Sequence, residues 1–176
     1  MAAAPRDRGA GYPVISRLNW FGASGLSLLV AFILTAVPLP DWMEVWRPEW
    51  VVVTMVYWCL AMPERVGVFV AWGVGLLLDV LQGSILGQHA LGLATVAYLA
   101  VLYHQRIRVF PLVQQSLVVG SMVFVYLGGT ALIYNLLGSR HYGLDYLLGA
   151  ITSACIWPWV YVVLRDFRRK AVTSTR

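Results

Sequence analysis

Six apolar runs, joined by short polar connections, constrain this chain more than any other feature of its sequence. A run of about 18 residues or more can cross the hydrocarbon core of a bilayer as a helix. Composition agrees, because 60% of the 176 residues are hydrophobic and only 12% are charged, about half the charge of an ordinary soluble domain. The sequence therefore predicts an all-α integral membrane protein with six transmembrane helices. The runs are 20–37, 50–62, 66–81, 86–102, 112–137 and 146–164.

The connections between these runs leave no room for a soluble domain on either face. We therefore expect a single six-helix transmembrane domain over residues 20–164. A polar N-terminal tail over 1–19 and a basic C-terminal tail over 165–176 flank it. Whatever the protein does, it is expected to do within a bilayer or at its two surfaces.

Basic residues are unevenly divided between the two predicted faces. Six crossings place both termini on one side, which receives eleven of the thirteen Lys and Arg residues, whereas the other side receives only Arg47 and Arg140. Such an excess marks the cytoplasmic side. We therefore predict that both termini are cytoplasmic. The eleven residues are Arg6, Arg8, Arg17, Arg65, Arg106, Arg108, Arg165, Arg168, Arg169, Lys170 and Arg176.

Two of the six runs have competing interpretations. Run 20–37 follows a basic tail, as a signal peptide would, but it is long for that role and ends in Pro38-Leu39-Pro40 without a small-residue cleavage site. Run 50–62 spans roughly 20 Å as a helix, short of the ~30 Å hydrocarbon core. Omitting it would move one basic terminus to the other side, so it is kept as a crossing. Around its start, Trp42, Trp46 and Trp50 are spaced by four, as in an interfacial half-helix over 41–49.

Asp79 is the only acidic residue inside an apolar run. A carboxylate within a bilayer is costly and normally faces protein or water. Small residues spaced by four form a ridge with Asp79, and such ridges let helices approach closely. A similar ridge occurs in the first run. We therefore expect both ridges to pack helices together or to dock a partner's transmembrane helix. The ridges are Gly67, Ala71, Gly75, Asp79, Gly83 and Gly87, and Ala23, Ser27, Ala31 and Thr35.

His89 lies one short turn beyond Asp79. One interpretation is a hydrogen-bonded pair that holds the turn between the third and fourth spans, and the other is a proton relay or solute site. We favour the first. Beyond the last span, a basic run is typical of topology determination and anionic-lipid binding. It comprises Arg165, Arg168, Arg169 and Lys170.

Catalytic and cofactor motifs are not predicted. Gly22-Ala23-Ser24-Gly25 resembles the nucleophile motif of rhomboid proteases, but the sixth run lacks the histidine that such a serine requires. The histidines do not have metal-ligand spacing, and no basic-aromatic surface for nucleic acid is apparent. Cys59 and Cys155 lie in apolar runs and are expected to be buried free thiols. We expect no enzyme activity, no cofactor and no bound metal.

Several motifs, taken in order, resemble the rod shape-determining protein MreD family of Gram-negative bacteria. The resemblance runs from about Asp41 to Arg169, which is nearly the whole chain. The motifs are Arg47-Pro48-Glu49-Trp50, Tyr57-Trp58, Leu60-Ala61-Met62-Pro63-Glu64-Arg65-Val66-Gly67, the stretch 75–87, Gln114-Gln115 and Trp157-Pro158-Trp159.

This resemblance implies a non-enzymatic, multi-pass protein of the bacterial inner membrane that takes part in the cell-elongation (rod) complex. It implies a direct partner, MreC, and indirect association with MreB, RodA and a class B penicillin-binding protein. MreD-like proteins are also similar in fold to the six-helix substrate-binding subunits of energy-coupling-factor transporters. A solute-binding membrane subunit is therefore the alternative function, and association with a second copy of the chain stays open.

Overall fold

A computed structural model describes residues 14–136 and 144–173 of the chain. Within these ranges the chain is all-α, as the sequence predicts. The six long helices coincide with the six apolar runs, and a four-residue helix and one 3-10 turn complete the described secondary structure. The helices are α1 (Val14–Ala36), α2 (Asp41–Glu44), α3 (Trp50–Ala61), α4 (Val68–Gln82), α5 (Gln88–Val109), α6 (Leu112–Leu136) and α7 (Leu148–Thr173), with the 3-10 turn at Leu144–Leu147.

The shortest long helix, α3, forms the centre of the bundle. Every residue from Val51 to Leu60 is buried, and α3 packs against α1, α5, α6 and α7. A helix that is apolar on all sides is stable when protein surrounds it. The short second run is therefore a core helix, and its ends meet protein groups.

Helices α4 and α5 form a tight hairpin at one edge of the bundle. Helix α4 ends at Gln82 because Gly83 adopts a left-handed conformation, with φ of 63°, and Gly87 precedes α5 with φ of 97°. Glycine has no Cβ and adopts these angles without strain. Our prediction that the small-residue ridge continues through Gly83 and Gly87 on one helix face is therefore wrong, since both glycines shape the turn.

Helices α6 and α7 pack antiparallel, and small residues meet where Gly120 faces Ala154. A Cβ atom placed on Gly120 of α6 would lie only 2.8 Å from the Cβ of Ala154 on α7. Pro158 lies inside α7, which nevertheless continues through the basic run to Thr173. The half-helix predicted over 41–49 is shorter in the structure, where α2 ends at Glu44.

Large apolar side chains cover much of the outside of the bundle. Phe69 and Val80 on α4, Leu117 and Leu132 on α6, and Trp159 on α7 are all exposed. Such a surface on a helical protein is suited to contact with lipid or with other apolar helices. By length and composition alone, α6 and residues 148–170 of α7 are long and apolar enough to cross a membrane, whereas the apolar parts of α1, α3 and α4 are shorter.

Candidate functional site

The carboxylate of Asp79 lies at the centre of a buried polar cluster at the α4–α5 turn. One carboxylate oxygen, Oδ1, accepts hydrogen bonds from the backbone N–H of His89 at 2.8 Å and the hydroxyl of Ser84 at 2.9 Å. The other, Oδ2, accepts the backbone N–H of Gly87 at 2.8 Å. His89 Nδ1 also lies 2.8 Å from Oδ1. We call Asp79, Ser84, Gly87 and His89 the turn cluster.

The local sequence explains why the turn cluster forms here. The N-terminal N–H groups of a helix have no partners within the helix, and they favour a negative charge. Asp79 supplies that charge to α5 from the end of α4. The backbone carbonyl of Asp79 also accepts the N–H of Ser84 at 3.0 Å, a bond typical of a glycine-ended helix. One residue therefore stabilises both ends of the turn.

The geometry of the turn cluster is not that of a hydrolytic triad. In a triad, serine contacts one imidazole nitrogen and the acid contacts the other. Here the Ser84 hydroxyl lies 3.0 Å from His89 Nδ1, the same nitrogen that faces Asp79. Serine and acid thus share one nitrogen, which is an arrangement that holds a turn. The structure brings the predicted pair, Asp79 and His89, into direct contact.

The part of the ridge that lies on α4 packs against α5 of the same chain. A Cβ atom on Gly75 would overlap the Cα of Ala90 and lie 2.8 Å from the carbonyl oxygen of His89. Ala71 and Asp79, one turn to either side of Gly75, are buried. Gly67 precedes the first residue of α4 and is only partly buried. The ridge therefore serves a close helix contact within the chain.

The ridge on α1 faces the central helix. Ala23 and Ala31 are buried, and Ser27 accepts a hydrogen bond of 2.8 Å from the indole N–H of Trp58 on α3. Thr35 donates to the carbonyl of Ala31 on its own helix. Residues of the α1 ridge therefore contact the central helix of the same chain, and docking of a partner at the ridges stays a prediction.

Side chains from other elements cap several helix ends. Arg47 donates to the carbonyls of Leu34, Thr35 and Val37 at the end of α1. The charge of a guanidinium is favourable at a helix C-terminus. The sequence analysis treats Arg47 only as one of two basic residues on the outer face and does not predict this contact.

A second arginine caps the central helix. Arg108 on α5 donates to the carbonyls of Leu60 and Ala61 at 2.6 and 2.7 Å. Gln115 on α6 donates in the same way to Ile107 and Phe110 at the end of α5, a use that its position at the start of the fifth run suggests. Nothing in the local sequence distinguishes Arg108 from Arg106, because its acceptors lie far away along the chain.

The N-terminus of α3 is held by α7. The backbone N–H of Glu49 donates to the hydroxyl of Ser153 at 3.0 Å, and that hydroxyl donates to the carbonyl of Gly149 at 2.6 Å. Surrounding protein raises the pKa of the Glu49 carboxyl to about 7, against the opposing effect of Arg47. Glu49 is therefore an acid that ionises near neutral pH.

Two apolar grooves are present on the outside of the bundle. The α1–α7 groove has a volume of about 500 Å³, and the α6–α7 groove has a volume of about 790 Å³. Neither groove includes Asp79 or His89 among its lining residues. The thiol prediction is half wrong, because Cys59 is buried but Cys155 is exposed in the α6–α7 groove.

The basic run continues α7 beyond its apolar part, and Arg165, Arg169 and Lys170 are exposed. Arg165 forms an exposed ion pair with Asp166 at 3.7 Å. Within the described residues, no three His, Cys, Asp or Glu side chains are grouped so that they could hold a metal ion. The solute-binding alternative predicts a pocket open to the outer face near Asp79, His89, Arg140 and His141, and the last two residues lie outside the described residues.

The fold is a helical bundle with a largely buried central helix, interhelical caps and an apolar exterior, as expected of a helical membrane protein. Residues 16–167 match the family described as rod shape-determining protein MreD. The rod shape-determining protein MreD of Haemophilus influenzae is 34% identical over 153 residues, which cover 87% of this chain and 94% of the relative. The chain belongs to the MreD family, whose members are membrane proteins that determine rod shape. No solved structure matches it.

Proposed function

We propose that this protein is a non-enzymatic, six-span scaffold of the rod complex in the inner membrane, with both termini in the cytoplasm. It docks the single transmembrane helix of MreC and, through MreC, associates with MreB, RodA and a class B penicillin-binding protein. Family membership supports the role in rod shape. The six-span arrangement, the resemblance to energy-coupling-factor subunits and the partners are parts of the proposal.

The observation that carries the docking proposal is the α1–α7 groove. The α4 ridge is covered by α5 of the same chain, whereas Ser27 and Ala31 of the α1 ridge also reach an apolar groove on the outside of the bundle. The floor of this groove includes Ser27, Ala31 and Thr54, and its walls include exposed Val30 and Val163. Small residues on a groove floor allow a helix backbone to approach closely, which favours association within lipid.

Photocrosslinking from the groove tests this docking site. A benzoylphenylalanine at Val163 should capture MreC in native membranes, whereas the same group at Val80 should not. Val80 is a matched control, because it is also an exposed valine on an apolar helix but lies on α4. Capture of MreC from both positions, or from Val80 alone, would contradict the proposal.

Bulky variants test whether the groove matters for shape. Val30→Trp should fill the groove, reduce copurification of MreC and give rounded cells, whereas Val80→Trp should leave both as in wild type. Membrane abundance of each variant shows whether it is produced and inserted. If cells with Val30→Trp keep a normal rod shape and MreC copurifies at the wild-type level, the groove is not the docking site.

Topology has a separate test. A reporter that is active only in the periplasm, fused after Arg176, should give no signal because the proposed C-terminus is cytoplasmic. A clear signal would contradict the six-span arrangement while leaving family membership intact.

The solute-binding alternative has little support at the turn cluster. The Asp79 carboxylate is already satisfied by four donors from its own chain and is 1% exposed. A ligand that binds the folded state raises its thermal stability by mass action. A vitamin panel in detergent is expected to give no shift, and a reproducible shift would favour the alternative.

A further inference from the structure

The α6–α7 groove joins an apolar channel to a positively charged end. Its floor is made of small residues where the two helices approach, among them Gly120 and Ala154, and its walls include Phe124 and Ile151. Toward one end the lining reaches Leu112, the first residue of α6. The groove is therefore apolar along its length and reaches a helix N-terminus.

The N-terminus of α6 is a positive pole, and its first turn contains no acidic residue. The N–H of Gln115 bonds to the carbonyl of Pro111, whereas N–H groups earlier in a first turn have no acceptor within the helix. Such N-termini bind phosphate, because the amides and the helix dipole both favour an anion.

Basic side chains on α7 occur at the same level. Gly120 of α6 lies against Ala154 of α7. Because the helices are antiparallel, Leu112, eight residues before Gly120, lies at the level of Val162, eight residues after Ala154. Arg165 follows within one turn. At 3.6 residues per turn, Arg165 and Arg169 share the helix face of groove-lining Pro158. The ion pair of Arg165 with Asp166 is long, at 3.7 Å, and both side chains are exposed.

We propose that the α6–α7 groove seats one acyl chain of an anionic phospholipid whose phosphate lies between the α6 N-terminus and Arg165. The occupant is argued from charge complementarity. An acyl chain with an anionic head is apolar along its length and negative at one end, which matches the groove. A basic side chain near a membrane surface favours an anionic lipid by about fivefold.

A thiol at the rim of the groove gives a probe that leaves the floor of the groove open. Leu117 lines the groove and is exposed, whereas Cys59 is buried, so in Cys155→Ser with Leu117→Cys bimane maleimide attaches at position 117. The labelled full-length protein is placed in phosphatidylcholine nanodiscs with an equal fraction of chain-spin-labelled phosphatidylglycerol or chain-spin-labelled phosphatidylcholine. Phosphatidylglycerol should quench bimane with about fivefold higher apparent affinity. Equal quenching by the two lipids would overturn the proposal.

Two variants separate the head group from the chain. The double variant Arg165→Gln with Arg169→Gln should abolish the preference for phosphatidylglycerol over phosphatidylcholine. The control double variant, Arg65→Gln with Lys170→Gln, also loses two positive charges but should preserve this preference. Ser116→Leu fills the groove and should reduce quenching by phosphatidylglycerol to the phosphatidylcholine value. Inorganic phosphate should not compete.

Each variant has an outcome that counts against the site. Preference that survives the Arg165 and Arg169 changes would show that the head group does not bind there. Preference that survives Ser116→Leu, or that inorganic phosphate removes, would show that no chain is seated in the groove. A single symmetric peak in size-exclusion chromatography verifies that every variant is folded.

Discussion

Asp79, near the end of α4, accepts the backbone N–H of His89, in the first turn of α5, at 2.8 Å. This bond joins two antiparallel helices through a buried charge, and the same carboxylate oxygen also faces the His89 ring. Asp79 therefore replaces the N-cap side chain that α5 lacks, since the residue before α5 is Gly87.

Asp79→Asn should destabilise the hairpin although it keeps the size of the side chain. Both carboxylate oxygens accept hydrogen bonds. In asparagine one of these oxygens is replaced by an N–H₂ group, which is itself a donor and would face another donor. Losing hydrogen bonds to a buried charge costs about 2–3 kcal/mol. We expect a lower midpoint of thermal unfolding in detergent. Asp166→Asn is the control, because Asp166 is exposed, and equal midpoints for the two variants would refute the role of Asp79.

Gly75→Ala and Gly73→Ala should change stability in opposite directions. A Cβ on Gly75 overlaps Ala90, whereas a Cβ on Gly73 meets nothing within 4 Å. Alanine in an unobstructed helix position stabilises by about 0.5–1 kcal/mol, so Gly73→Ala should raise the unfolding midpoint and Gly75→Ala should lower it. Gly75→Leu should lower it further without preventing membrane insertion. An unchanged unfolding midpoint in Gly75→Ala would contradict the close contact between α4 and α5.

Arg108→Gln should weaken the end of α3, whereas Arg106→Gln should not. Arg108 donates two hydrogen bonds to carbonyls of α3, and Arg106 is exposed two residues earlier in the last turns of α5. A charge-assisted cap is worth about 1–2 kcal/mol. Unfolding midpoints in detergent compare the two variants, which remove the same charge. Similar losses would mean that charge alone, and not the cap, is responsible.

Stability should fall as pH rises through the range in which Glu49 ionises. The folded-state pKa is about 7 and the ordinary value is 4.5, so between these values the folded state binds more protons than the unfolded state. Linkage then makes unfolding easier with rising pH, and the effect levels off above pH 7. Unfolding midpoints should decrease from about pH 5 to pH 7.5.

Glu49→Gln should flatten this pH profile, because an amide does not ionise. Glu64→Gln is the matched control, because Glu64 is an exposed glutamate in a polar connection. If the slope persists in Glu49→Gln, then another group is responsible for it.

The sequence by itself determines the helices and the environment that the chain requires. Apolar runs predict the six long helices to within a few residues at most ends, because hydrophobic length and turn glycines are local properties. The motifs from Arg47 to Trp159 also identify the family correctly, and family membership is what connects this fold to rod shape. Asp79 is visible in the sequence because an acid in an apolar run is costly. His89 is only ten residues away, so the contact between them can also be predicted from the local sequence.

Only the tertiary structure decided which surfaces these helices use. The ridges on α1 and α4 have the same spacing whether they meet Trp58, Ala90 or a partner, so periodicity cannot assign them. Gly83 and Gly87 have ridge spacing but adopt left-handed angles, because a turn requires them there. The caps made by Arg47, Arg108 and Ser153 join residues distant in the chain, and contacts of that kind exist only once the helices are packed.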